Sequence, residues 1–177
     1  MGNLFYKEYI FHSLEINNTI DDLVEIGCGY GTFTIPVSKI IKGNLYAFDI
    51  ENEMIEFVRQ KSNEQKLKNI ILNKRDILSG TTGLKSDSID YVMLFNLLHN
   101  EEPQIFIKEC YRILKVGGKL GVIHWRSDIE TPRGPDLSIR PSPQDILGLI
   151  DKKLFHATRN NLIFKPYHFG LQFSKLK

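Results

Sequence analysis

Apolar and polar positions along the chain alternate between two kinds of segment. Short runs rich in β-branched and aromatic residues, at 22–26, 44–50, 69–74, 88–95 and 119–125, read as strands. Between them lie longer stretches with apolar residues at helical spacing, at 4–16, 33–41, 51–66 and 103–114; the third carries Met54, Ile55 and Val58 on one face. Pro36 fits its helix only in the first turn. The turn Val116-Gly117-Gly118 stops the fourth helix, and a short helix at 143–150 and two strands at 153–163 and 168–175 close the chain. Strands alternating with crossover helices predict a doubly wound, Rossmann-like α/β fold in three layers. Residues 1–177 read as one domain, with a lead-in helix in 1–20. The segment 126–143 holds four of the seven prolines and reads as an irregular loop, of a kind that is commonly functional or mobile.

Composition narrows the function classes. A net charge of +2, with basic residues scattered among acidic ones, lacks the stripe of a dedicated nucleic-acid binder. Cys28 and Cys110 are far apart in different elements, which fits a reducing, cytoplasmic setting better than a disulfide framework. No apolar run approaches the ~20 residues that span a bilayer, and residues 1–6 show no export or myristoylation signal. His12, His156 and His168 have no ligand spacing, so no metal is expected.

Glu25-Ile26-Gly27-Cys28-Gly29-Tyr30-Gly31-Thr32 carries the strongest site signal. Glycines between a strand and a helix let backbone approach a ligand closely, and the free N–H groups favour an anionic group. A dinucleotide fingerprint would need glycine at position 32, where this chain has Thr. Glu25 would repel a pyrophosphate but suits an ammonium, directly or through water. A ligand with an α-amino group, a carboxylate and a ribose therefore fits better than NAD. Asp49, followed by Ile50, ends the second strand and is placed to accept from both ribose hydroxyls; the plainer reading is a helix cap beside Glu51 and Glu53. Asp76 could accept from an adenine amino group with Ile77 packed on the ring, or simply start a turn.

Together these blocks resemble the seven-β-strand, class I methyltransferases that use S-adenosylmethionine, in their small-molecule branch. The loop 25–31 is similar to the family's E-x-G-x-G-x-G, Asp49 to its ribose acid, Asp76-Ile77 to its adenine pair and residues 90–99 to its fourth-strand motif. Residues 109–120 match its E-x-x-R-x-L-K-x-G-G-x-L. The resemblance implies a strand order of 3-2-1-4-5-7-6 with the last strand antiparallel. It implies S-adenosylmethionine as cofactor, contacted by Glu25, Gly27, Cys28, Gly29, Gly31, Asp49, Ile50, Asp76, Ile77, Asn96 and Leu97. Phe95-Asn96-Leu97-Leu98 departs from the motif of enzymes that methylate adenine or glutamine nitrogen, and two cysteines are too few for the arsenite branch.

Methyl transfer from a sulfonium needs alignment and exclusion of water, and a base only when the acceptor must lose a proton. His99 is the first candidate for such a base; a structural histidine is the alternative. Tyr6, Tyr9, His124, Trp125, Arg126 and Arg133 are candidates for the acceptor pocket, the arginines for an anionic group. Core packing explains Trp125 and helix amphipathicity Tyr9 equally well. The expected partner is a small-molecule acceptor, with neither nucleic acid nor membrane; oligomeric state is not legible. A non-catalytic cofactor-binding protein and an NAD-dependent oxidoreductase stay open as alternatives.

Overall fold

The apolar runs form β1 (Leu23–Ile26), β2 (Leu45–Asp49), β3 (Ile70–Lys74), β4 (Ile89–Phe95), β5 (Leu114–Trp125), β6 (Phe155–Phe164) and β7 (His168–Lys175). In the computed structural model, which describes residues 2–177 and the side chains of residues 6–177, they pair into one sheet ordered β3-β2-β1-β4-β5-β7-β6. Strands β1 to β5 are parallel, and β7 runs antiparallel to both of its neighbours. That is the order the resemblance implied.

Helices cover both faces. On one side α1 (Gly2–Ser13), α2 (Thr34–Ser38) and α3 (Asn52–Glu64) place Ile10, Val37, Ile55 and Val58, with Leu14 just past α1, against Leu23, Leu45, Tyr91 and Met93. On the other, α4 (Pro103–Ile113) and α5 (Pro143–Leu149) pack Phe106, Ile107, Cys110 and Ile146 on Val24, Val92, Leu94 and Val122. Alternate residues of β4 thus serve opposite layers, as the two-residue strand period demands. All four residues of β1 are buried, because helices cover both of its faces. Among the described residues, no helix is long and apolar enough to cross a membrane.

Two local departures from the sequence reading have physical causes. Pairing of β5 begins at Leu114, opposite Ile89, and resumes at Lys119, opposite Tyr91, so the predicted turn is a bulge inside the strand with Gly117 at φ +79°. Helix α2 is shorter than expected, and Pro36 falls in its first turn. The link from β3 to β4 holds no helix; it is pinned instead by Glu109, whose Oε1 accepts from Thr82 N at 2.7 Å, Thr82 Oγ1 at 2.6 Å and Arg112 Nη2 at 2.7 Å. Arg112 Nη1 also donates to Leu84 O at 2.8 Å. The E-x-x-R pair is therefore a clamp on that link. At the start of α5, Ser142 and Asp145 form a reciprocal capping box followed by Pro143 at the first helical position.

Tyr91 is wholly buried and donates from its hydroxyl to Leu14 O at 2.8 Å, fixing the end of α1 to the sheet. Its ring lies over Gly121, where an added Cβ would collide with the hydroxyl. Gly121→Ala is therefore expected to destabilise the fold by about 2–3 kcal/mol. Calorimetry should show a melting point lower by roughly 5–10 °C; an unchanged value would mean that Tyr91 can move aside.

Candidate functional site

A cavity of about 1150 Å³ opens where the parallel strands end. Its walls are Ile26 and Gly27 beyond β1, Asp49 and Ile50 at β2, Asp76 and Ile77 after β3, Phe95 and Asn96 at β4, and Trp125 at β5, with α1 and the β6–β7 turn closing the far side. Ligands of open α/β sheets bind at this edge because successive strand ends diverge there.

The first wall is backbone. Gly27 and Cys28 donate to Phe48 O at 2.8 and 3.0 Å, and Gly29 N donates to Asp49 Oδ2 at 2.8 Å. Gly27 (φ +77°) and Gly29 (φ +49°) occupy the left-handed region; a Cβ at Gly27 would also press on Leu97 at 2.9 Å. Asp49 Oδ1 accepts from Glu51 N at 3.0 Å, so each carboxylate oxygen keeps a lone pair free. That bond is a turn ahead of α3, whose N-cap is Glu51 with no side-chain cap bond, so Asp49 does not cap the helix and its carboxylate is left for the cavity.

Two acceptor groups in the cavity wall stand out. Glu25 is buried and accepts from Thr34 Oγ1 at 2.5 Å; burial, aided by the nearby charge of Asp49, pushes its carboxyl up to about 8. Asn96 holds a left-handed backbone (φ +58°), and its Oδ1 is buried with no hydrogen-bond partner. Asp76 accepts from Leu78 N at 2.8 Å; bonds from Ser79 and Leu78 hold its carboxyl below the usual range.

The far end is aromatic. The Trp125 and His168 rings lie 4.1 Å apart between centroids, with Tyr6 and Tyr167 beside them, and Tyr6 Oη donates to Phe164 O at 3.1 Å. Burial, with the charge of Arg140, lowers the His168 pKa to about 4, so the ring is neutral at pH 7. Arg140 secures the Pro-rich loop, donating to Pro135 O at 2.9 Å, Arg126 O at 3.1 Å and Thr131 Oγ1 at 2.7 Å. That brings Pro132 and Arg133 to the cavity.

Tyr6, Glu25, Gly27, Cys28, Gly29, Asp49, Ile50, Asp76, Ile77, Asn96, Leu97, Trp125 and Arg133 all line the cavity. Other expected positions do not. Gly31 packs toward Val58, and Tyr9 is exposed on α1 with its ring edge on Phe164. His124 is fully buried, because strand alternation sends it to the α4 side while Trp125 faces the cavity. His99 meets it there, Nδ1 to Nε2 at 3.3 Å, away from the cavity. Arg126 is engaged by Asp128 at 2.9 and 2.7 Å. The sequence reading missed Lys7, Lys165, Tyr167 and His168, which line the cavity. For His168 a signal existed, since it pairs with Trp125 once β7 lies beside β5; for Lys7 and Lys165 only the tertiary fold supplies one.

A family described as a methyltransferase domain matches residues 24–122. A solved S-adenosylmethionine-dependent methyltransferase from Aquifex aeolicus superposes with a TM-score of 0.85 at 23% identity, covering 96% of this chain and 89% of that one. The chain belongs to the class I, S-adenosylmethionine-dependent methyltransferases. Two curated relatives of this chain are named demethylmenaquinone methyltransferase. That of Lactobacillus johnsonii is 30% identical over 122 residues, which is 67% of this chain and 49% of the relative. That of a Geobacillus strain is 27% identical over 100 residues, 55% of this chain and 42% of the relative. The chain thus spans less than half the length of these relatives.

Proposed function

We propose that this protein transfers the methyl group of S-adenosylmethionine to a small-molecule acceptor held at the Trp125 end of the cavity. The observation that carries the reading is the unpartnered, buried Asn96 Oδ1, in the same cavity as the buried carboxyl of Glu25. An unpartnered amide oxygen beside a carboxyl that bonds only Thr34 suits a cation, and an amino-acid ammonium supplies one. Asp49 would hold the ribose through its free lone pairs, and Asp76 with Ile77 the adenine. Gly27, Cys28 and Gly29 leave room for the backbone to approach, and Asn96 and Leu97 would flank the methionine part. When bound, the cofactor supplies an electrophilic methyl group on a sulfur that leaves without acid assistance.

The residues of the chain align and desolvate. The aromatic wall excludes water from the acceptor end, and fixed geometry replaces the entropy of a bimolecular encounter. His168, neutral at pH 7, offers a ring nitrogen that can accept from an acceptor hydroxyl; a pKa of about 4 makes it an orienting group, not a strong base. His99 lies outside the cavity lining, in contact with buried His124, so an acceptor that enters already ionised needs no base from it. The relatives named for demethylmenaquinone support an acceptor of small-molecule size.

Incubation with a metabolite extract and methyl-labelled S-adenosylmethionine should yield S-adenosylhomocysteine and one labelled small product by mass spectrometry. Tight binding of S-adenosylhomocysteine without turnover in any extract would favour a non-catalytic binder. Binding of NAD in its place would overturn the proposal.

A further inference from the structure

The two ends of the cavity differ in charge. Glu25, Asp49 and Asp76 stand with the single cation Arg75 at the β1–β3 end, whereas the end built by α1, β5, the Pro-rich loop and the β6–β7 turn presents Lys7, Arg133 and Lys165 and no carboxylate. None of these three cations belongs to an ion pair among the described residues. Arg140 adds a fourth positive charge behind them. It is 8% exposed, bonds only to carbonyl oxygens and the Thr131 hydroxyl, and lies 5.8 Å from the Trp125 ring. Burial and the neighbouring Lys61 lower the pKa of Lys7, an ammonium without an anion beside it. A cavity with uncompensated charge of one sign concentrates ligands of the other.

Resting on the methyltransferase reading, we infer that the methyl acceptor is a small aromatic carboxylate, its ring against Trp125 and His168 and its charge held by Arg133 and Lys165. Arg75, the other unpaired cation of the lining, stands at the β3 end and is turned to Thr81 O; of Lys7, Arg133 and Lys165 the carboxylate of the cofactor can neutralise only one, and Lys7 on α1 is available to it. Arg133 and Lys165 then remain for the acceptor, and a guanidinium engages a carboxylate in bidentate fashion. The Trp125 and His168 rings, 4.1 Å apart and inclined at 40°, offer aromatic surface that favours a planar aromatic body over an aliphatic one.

Trp125 is the only tryptophan, so its fluorescence reports the occupancy of this end. Protein saturated with S-adenosylhomocysteine is titrated with 4-hydroxybenzoate and 1-hydroxy-2-naphthoate, and with the carboxamide of each. At least one acid should bind at least tenfold tighter than its amide, with the preference shrinking as salt rises. Arg133→Met and Lys165→Met should each weaken the binding of that acid fivefold or more while its amide is unaffected. Equal affinity for acid and amide, indifference of the acid to both substitutions, or no binding by any probe would overturn the inference. Failure of S-adenosylhomocysteine to bind in the preliminary calorimetric titration is the separate result that removes the methyltransferase reading, and this inference with it.

Discussion

Glu25→Gln is expected to make the ligand-free protein more stable while weakening its hold on the cofactor. In the unfolded chain a glutamate ionises near its ordinary value of 4.5; in the fold, burial raises this to about 8. Between those values the unfolded state has shed a proton that the folded state retains, so stability falls as pH rises from 4.5 to about 8 and is flat above. At about 1.4 kcal/mol per pH unit, the loss reaches about 3–4 kcal/mol by pH 7 to 8. Glutamine mimics the protonated carboxyl, keeps an oxygen for the Thr34 hydroxyl and cannot ionise. Urea unfolding of the two proteins should therefore coincide near pH 4.5 and separate steadily up to pH 8, glutamine the more stable. Because the depressed histidines His99, His124 and His168 are common to both proteins, the difference isolates Glu25. Parallel curves across the whole range would show that Glu25 ionises normally in the fold.

The same residue shows why part of this site is legible in sequence. Glycines at 27, 29 and 31 between an apolar run and a helix announce a backbone cradle, and an acid at the end of the first strand narrows its ligand. Those features are local, and the structure places them as neighbours because they are neighbours in the chain. The acceptor end is a different matter. Lys7 and Lys165 line one cavity because α1 is fastened near the β6–β7 turn by the bond from Tyr6 to Phe164, over 158 residues of separation. No periodicity encodes that meeting.

His124 and Trp125 are an instructive intermediate case. Both end β5, yet the period of two sends one to each face, so only one can address the cavity. The alternation was available from the sequence; which face would carry the cavity was not, since that depends on α1 lying on the Trp125 side. Arg126 has Asp128 two residues away, a pairing that local spacing permits without enforcing. Glu109 and Arg112 belong to a block that resembles a family signature, and in the fold they hold the helix-free link before β4. A shared motif here marks shared architecture as much as shared chemistry. The proline content of 126–143 foretold irregular backbone, while its anchoring by one buried arginine depends on carbonyls that only the folded loop gathers.

Asp49→Ala should cost about a hundredfold in affinity for S-adenosylhomocysteine, and nearly as much for 5′-methylthioadenosine, which keeps the ribose and lacks the amino acid. Hydrogen bonds to a charged group contribute about 1.5–3 kcal/mol each, so losing the bonds to two ribose hydroxyls accounts for such a factor even with partial replacement by water. A second effect acts in the same direction. Asp49 Oδ2 receives the N–H of Gly29 at 2.8 Å, and without it the cradle loses the contact that ties its middle glycine to β2. Asp49→Asn retains an oxygen for one of these donors and should fall between wild type and alanine. The comparison with Glu25→Gln makes the assignment sharp, because that substitution should weaken S-adenosylhomocysteine several-fold and leave 5′-methylthioadenosine unchanged. Calorimetric titration of both nucleosides into both variants separates the ribose contact from the ammonium contact. An Asp49→Ala protein that binds 5′-methylthioadenosine as wild type does would leave Asp49 as no more than the acceptor for the Gly29 and Glu51 amides and move the ribose elsewhere in the cavity.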